Sequence, residues 1–209
     1  GAVGVSFAGD LITLFLFWEL MAIFSTVVVW CGGTPEARAA GIRYAIMHLI
    51  GGVILKVGIE GVMVHTGSIE VQPMLATNFD TWMILIGILI NAAAPPISAW
   101  LSDAYPESSP TGSVFLSAFT TKTAVLALIL LFPGEPVLIG VGLYMVMYGI
   151  IYALLENDVR RILAFSIVNQ VGFMVCAVGI GTQMAINGAA AHAFAHIIYK
   201  ALLFMSAGV

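Results

Sequence analysis

Long apolar stretches separated by short polar clusters run through all 209 residues. About 20 apolar residues carry a helix across the hydrocarbon of a bilayer. On that measure the pattern predicts seven crossings, over about 11–31, 39–65, 80–101, 113–132, 137–155, 161–181 and 184–209. Residues 1–8 read as the tail of a preceding helix, and the chain as a fragment of a longer one. Turn-forming residues mark the gaps: Gly32-Gly33-Thr34-Pro35, the stretch 68–80, the stretch 103–112, Phe132-Pro133-Gly134, Glu156-Asn157-Asp158 and Gly181-Thr182. The fold class that follows is all-α, a polytopic transmembrane helix bundle forming a single membrane domain.

One predicted crossing carries its own breaker. Asn91-Ala92-Ala93-Ala94 runs into Pro95-Pro96, and each proline removes a helical donor and clashes with the turn before it. The helix is therefore expected to be interrupted or sharply kinked there. The break is either a static kink or a broken helix beside an ion path, the form transporters use.

Composition agrees with the pattern. Hydrophobic residues make up 61% of the chain and charged ones 9%, and mean hydropathy is +1.07, which excludes an ordinary water-soluble domain. Alternating the connections between two sides puts Arg38, Arg43, Arg160 and Arg161 on one side, with no lysine or arginine in the loops of the other. The positive-inside rule makes the arginine side cytoplasmic. The net charge of −4 says little about partners, and no feature points to nucleic acid. Cys31 and Cys176 stand apart from each other and from any metal-ligand spacing, so both are expected in buried small-residue packing, with no metal site.

All three lysines lie inside apolar stretches: Lys56, Lys122 and Lys200. A lysine at mid-membrane depth costs roughly 2.5–3.5 kcal/mol on insertion scales, and such residues usually mark an ion or proton path. In the seventh crossing His192, His196 and Lys200 recur every four residues, a line of about 12 Å at 1.5 Å per residue. Imidazole and a desolvated lysine both change charge readily, so this line is a candidate proton ladder. The second crossing carries His48 and Lys56 at the same separation, with Gly52 between them and Glu60 one turn further. Lys56 and Glu60 are spaced to pair, so they are either a structural ion pair or part of a path. The second and seventh crossings run in opposite directions, and a shared His-x7-Lys pattern is what an inverted five-helix repeat leaves behind. On that reading about 1–132 is most of a first repeat and about 137–209 the start of a second. Glu19 is the one acid deep in the first crossing, and Lys122 stands among Ser117, Thr120, Thr121 and Thr123. Lys122 is either a hydrated relay or the partner of Glu19 in a salt bridge.

Three stretches resemble the membrane domain shared by the antiporter-like subunits of respiratory complex I and the large subunits of Mrp-type cation/proton antiporters. Phe17-Trp18-Glu19-Leu20 resembles the helix bearing that family's glutamate. Pro96-Ile97-Ser98-Ala99-Trp100-Leu101-Ser102-Asp103-Ala104, followed by Pro110, Ser113 and Lys122, resembles its broken helix, loop and lysine-bearing next helix. The stretch from Asp158 to Ser166 with Gln170 and Gly172, then His192, His196 and Lys200-Ala201-Leu202-Leu203, resembles its cytoplasmic turn and later histidine-lysine helix. The likeness is nearest to the D-type large subunits of Mrp antiporters. It implies that Glu19 pairs with a lysine just before the proline of the broken helix, where this chain has Asn91. Asparagine carries no proton, so Glu19 is left to another partner, with Lys56 or Lys122 the expected substitutes, or to protonation alone, or to a half-channel that no longer conducts.

The function so implied is an ion-translocating subunit of a multisubunit monovalent cation (sodium)/proton antiporter in a bacterial inner membrane. Protons move along Glu19, Lys122, His192, His196 and Lys200, with Lys56, Glu60, His48 and Asn91 as further candidates and Pro95 and Pro96 as the helix break. Its partners are other membrane subunits, protons, a monovalent cation and lipid, and it is a transporter subunit rather than an enzyme. Two other readings stand beside it. One is a proton-pumping subunit of a complex I-like NADH-quinone oxidoreductase or membrane hydrogenase; the other is a non-conducting accessory subunit. No cofactor is expected on this chain, which has neither a cysteine cluster nor a Gly-x-Gly-x-x-Gly turn.

Overall fold

The computed structural model describes residues 1–208, and these form helices α1 (Ala2–Ser6), α2 (Leu11–Trp30), α3 (Pro35–Thr66), α4 (Phe79–Asn91), α5 (Ala99–Glu107), α6 (Pro110–Leu131), α7 (Val137–Leu155), α8 (Val159–Ile180) and α9 (Gln183–Ser206). Six of them (α2, α3, α6, α7, α8 and α9) are long and apolar enough to cross a membrane singly. The shorter α4 and α5 together make the interrupted crossing, so the chain is an integral membrane protein of the all-helical kind. Val209, the last residue of the seventh predicted crossing, lies outside the described residues.

The helix starts follow from local chemistry. Asp10, Thr34, Asn78, Ser109, Asp158 and Thr182 each accept a hydrogen bond from a backbone N–H of the following first turn, which satisfies donors that a helix start leaves free. Pro35 and Pro110 stand at first helical positions, where no N–H is needed.

The double proline acts as expected, and its surroundings repair the damage. α4 ends at Asn91, Ala93 takes a left-handed φ of 59°, and the chain turns through Pro95 and Pro96 before α5 begins. The indole of Trp100, on the first turn of α5, donates to the carbonyl of Ile90 at 3.1 Å. The same carbonyl also accepts from Ala93 N at 3.1 Å, so at the break it is satisfied inside protein, the condition for irregular backbone at membrane depth. One expectation is corrected here: Asp103–Glu107, read as part of a connection, is helical and belongs to α5. Pro106 stands in the final turn, late enough to leave the nine-residue helix α5 intact.

The connections alternate between the two ends of the bundle. At one end Arg43 of α3 pairs with Asp103 of α5. At the same end Arg160 of α8 donates to the Ser108 carbonyl at 2.7 Å and to Ser113 Oγ at 2.5 Å, tying α8 to the α5–α6 turn. At the other end the extended segment 67–78 crosses over several helix ends. Leu11 donates to the Ile69 carbonyl at 2.7 Å and Met74 to the Leu131 carbonyl at 2.7 Å. Ala76 N donates to the buried carboxylate of Glu135 at 2.8 Å.

Small residues set the closest helix pair. A Cβ at Gly142 of α7 would overlap the α8 backbone at Gly172 and Cys176, so these two backbones meet as small-residue seams allow in membranes. Cys176 lies partly buried in that seam. Cys31 is exposed, contrary to expectation, because it is the residue that ends α2 at the bundle surface.

Candidate functional site

Two polar regions interrupt the apolar interior. The first lies among α2, α3 and the end of α4. Glu19 reaches from α2 to α3 at Gly52, where an added Cβ would overlap its Oε1. That oxygen is shut off from the surface and has no hydrogen-bond partner. One turn back on α3 is His48, 2% exposed, whose ring lies 4.1 Å from that of Tyr44 and 4.7 Å from that of Trp100 between centroids. Tyr44 is held in turn by its hydroxyl, which donates to Ser25 Oγ at 2.8 Å. His48 faces the fully buried Asn91, yet neither ring nitrogen of the histidine, nor either polar atom of the amide, completes a hydrogen bond. A groove of about 290 Å³ between α2 and α3 runs from Glu19 and His48 to Trp30, at the arginine-bearing end.

Lys56, one turn beyond Gly52, leaves this interior. Its ammonium bonds Glu60 at 2.5 Å and sits 5.8 Å from the Phe15 ring centre, with the lysine and glutamate side chains 38% and 54% exposed. Of the alternatives left open for these two residues, the structure places them together as a pair on the outer face. Each residue advances a helix by about 100°, so eight residues turn the side chain roughly 80° from His48 and carry Lys56 out of the α2–α3 seam.

The second region lies among α6, α8 and α9. Lys122 of α6 is buried and donates to the Ser117 carbonyl at 2.8 Å and to Thr121 Oγ1 at 3.2 Å, the hydroxyl-lined setting expected of it. On α9, His196 is fully buried with both ring nitrogens unpartnered, and Lys200 is 1% exposed. His192 is held by Gln170 of α8, whose Oε1 lies 2.9 Å from its Nε2 and also accepts from the Tyr199 hydroxyl at 3.3 Å. Gln170 donates to Asn169 Oδ1 at 3.0 Å, and Asn169 donates to the Val146 carbonyl at 2.9 Å. The result is a chain of amides that fixes one end of the histidine line. The rings of His192 and His196 are 6.2 Å apart, and Lys122, His192, His196 and Lys200 lie within electrostatic reach of one another. Among the described residues no carboxylate forms a salt bridge with any of the four.

The structure therefore brings together Lys122, His192, His196 and Lys200, and separately Glu19, His48 and Asn91. It does not join Glu19 to either expected lysine, because Lys56 is paired with Glu60 and Lys122 is bound within its own helix. Sequence reasoning missed the aromatic enclosure of His48 by Tyr44 and Trp100. The spacing of Tyr44, His48 and Gly52 on one helix face held part of that signal; Trp100 comes from across the helix break and had none. The use of Arg160 and Arg43 as ties between helix ends was missed for the same reason.

Comparison with known proteins gives a family. Residues 8–209 match the family described as NADH:quinone oxidoreductase/Mrp antiporter, TM. The chain is 29% identical over 228 residues to the D subunit of the Na(+)/H(+) antiporter of Alkalihalophilus pseudofirmus, a match covering 100% of this chain and 46% of that protein. It is 27% identical over 236 residues to the M subunit of the NADH-quinone oxidoreductase of Pseudomonas aeruginosa, covering 100% and 46%. The fold superposes on a chain of the Mrp complex from Dietzia with a TM-score of 0.90 and 26% identity, covering 98% of this chain and 42% of that one. The chain thus spans less than half the length of the relatives it matches. With the glutamate helix, the broken helix and the histidine-lysine helix all in place, it belongs to the NADH:quinone oxidoreductase/Mrp antiporter family of transmembrane proteins.

Proposed function

We propose that the chain is part of an ion-translocating subunit of a multisubunit monovalent cation/proton antiporter, and that it moves protons along Lys122, His192, His196 and Lys200, with Glu19 as the acidic group of a second step. The observation that carries this reading is the cluster of the buried Lys122, His196 and Lys200 with the half-buried His192, without a carboxylate to neutralise them. Such a cluster is costly in hydrocarbon when fully charged. It becomes tolerable when protons are shared and passed on, because each proton taken up makes the neighbours release theirs more readily. The similarity to the D subunit of a sodium/proton antiporter supports sodium as the exchanged cation. The partners are the other membrane subunits of such an assembly, the membrane is a bacterial inner membrane, and the arginine-bearing ends face the cytoplasm. The helices α2–α6 and α7–α9 belong to two five-helix repeats of inverted orientation, and Glu60, Lys56, Pro95 and Pro96 act as scaffold around the path.

A second reading has one specific observation behind it: the similarity to an NADH-quinone oxidoreductase subunit is nearly as strong. There the same groups would pump protons, driven by redox chemistry on partner subunits. Purification of the native assembly separates the two, because iron-sulfur partners belong to the redox-driven complex only. The test of the leading reading is proton movement in vesicles holding the whole assembly. A sodium gradient is expected to drive proton exchange, and Glu19→Gln and Lys122→Ala to reduce it. Exchange that is absent from the intact assembly, or indifferent to both changes, would overturn it.

A further inference from the structure

Two buried polar side chains and one half-buried one meet where α2, α3 and the broken end of α4 converge, and the path through Lys122 and α9 makes no use of them. They are Glu19, His48 and Asn91, and each holds at least one buried polar atom without a hydrogen-bond partner. Buried polar atoms in native proteins are nearly always satisfied by protein or by ordered water. Five such atoms at one convergence mark a place built for something other than packing: Glu19 Oε1, both nitrogens of His48 and both polar atoms of Asn91.

From these residues we infer that His48 is a proton-carrying group, and that Gly52 positions Glu19 to exchange protons with it through water in the α2–α3 groove. Two further observations support the assignment. With glycine at position 52 the Glu19 carboxyl occupies the volume that an added Cβ would take, so any side chain there would push its Oε1 away. The carboxyl group is thereby seated on the same helix face as His48, one turn away. The groove between α2 and α3 is lined by both residues and extends along the two helices to Trp30, so it joins the carboxyl group to the ring. Tyr44 and Trp100 enclose the ring, and Asn91, which cannot itself take a proton, faces it. The step balances simply: Glu19 gives a proton to a water of the groove, that water gives one to a His48 nitrogen, and the reverse transfer resets both.

The inference rests on the proton-translocating reading of this chain, and its test is arranged to fail separately. The whole assembly is reconstituted with the wild-type protein, with Glu19→Gln, and with His48→Asn, His48→Gly or Gly52→Ala. Assembly is followed on native gels and proton flux with an internal pH dye. Flux at least about tenfold below wild type is expected for His48→Asn, which keeps a hydrogen-bonding shape but carries no proton. Imidazole added to His48→Gly is expected to restore flux, a recovery that a purely structural histidine would not give. Gly52→Ala leaves His48 in place, displaces the Glu19 carboxyl and is expected to lower flux comparably. It decides the matter if the His48 variants do not assemble. Wild-type flux in Gly52→Ala, or in an assembled His48→Asn, overturns the role of His48 even where Glu19→Gln abolishes transport. Absence of flux in the wild-type assembly overturns the translocating reading itself.

Discussion

The α2–α3 pair and the α8–α9 pair carry the same spacing of histidine and lysine and use it in opposite ways. On α9 His196 and Lys200 are buried and His192 is half-buried against α8, because that helix is flanked by both α6 and α8 and the drift of the line around its axis stays between them. On α3 the same drift takes Lys56 from the seam to the outside, where Glu60 neutralises it. The position between histidine and lysine differs accordingly. α9 fills it with His196, and α3 leaves it empty as Gly52, which lets the neighbouring helix supply Glu19 instead. One region is a row of bases on α9 joined by Lys122 of α6. The other is a site assembled across three helices, and its acid comes from elsewhere in the chain.

If the contrast is right, Lys200→Met has the largest effect, a fall in proton flux of at least about tenfold, the factor that one unit of 1.36 kcal/mol in a barrier produces. Flux measured in vesicles of the assembled complex checks this, and a loss below twofold would remove Lys200 from the path. Gln170→Leu deprives His192 and Tyr199 of their shared acceptor. Neither donor is fully buried, so the loss is that of ordinary hydrogen bonds, about 0.5–1.5 kcal/mol, and a modestly lower midpoint in thermal unfolding of the purified protein is expected. Lys56→Gln sharpens the comparison from the other side. An i,i+4 ion pair is worth only about 0.3–0.5 kcal/mol, so flux and stability should stay within about twofold of wild type. A loss as large as that of Lys200→Met would erase the distinction between the two lysines.

A small effect, confined to stability, concerns the start of the helix that carries Glu19. Asp10 caps α2: its carboxylate accepts from Thr13 N and from the Thr13 hydroxyl, each at 2.7 Å. The backbone bond from Thr13, followed by the hydroxyl, holds this carboxyl below its ordinary value. The stabilisation is therefore complete above the usual carboxylate range and is lost as pH falls through the depressed value. Asp10→Asn keeps the cap and loses only the charge, which is worth about 0.3–1 kcal/mol at a helix start. The variant is expected to be slightly less stable at neutral pH and to lack the acid-dependent part of the wild-type decline. Unfolding midpoints measured at neutral and acid pH test this, and parallel curves for the two proteins would deny the cap its charge.

The seven crossings were legible because a membrane span announces itself one residue at a time, through hydrocarbon length and breakers at its ends. The break after Asn91 was legible for the same reason, since two prolines act on their own turn of backbone. The histidine-lysine line of α9 followed from helical periodicity alone. The fate of Lys56 did not, because spacing gives the angle between two side chains and not which angle faces a neighbour. Glu19 pairs with neither Lys56 nor Lys122 in the structure, on the same ground: charge complementarity suggests partners, and distance chooses among them.

By itself, then, the sequence determined that this protein lies in the membrane, where its chain crosses and breaks, and which ionisable residues are carried to depth. Those are properties of segments, set by transfer of side chains from water to hydrocarbon and by local backbone sterics. Only the tertiary structure decided which of the ionisable residues meet. It seated Glu19 in the space at Gly52, closed Trp100 over His48 from beyond the helix break, and gathered Lys122 with the α9 bases. Each of those contacts joins separate helices, and what fixes them is how closely the backbones approach and how each helix is turned about its axis.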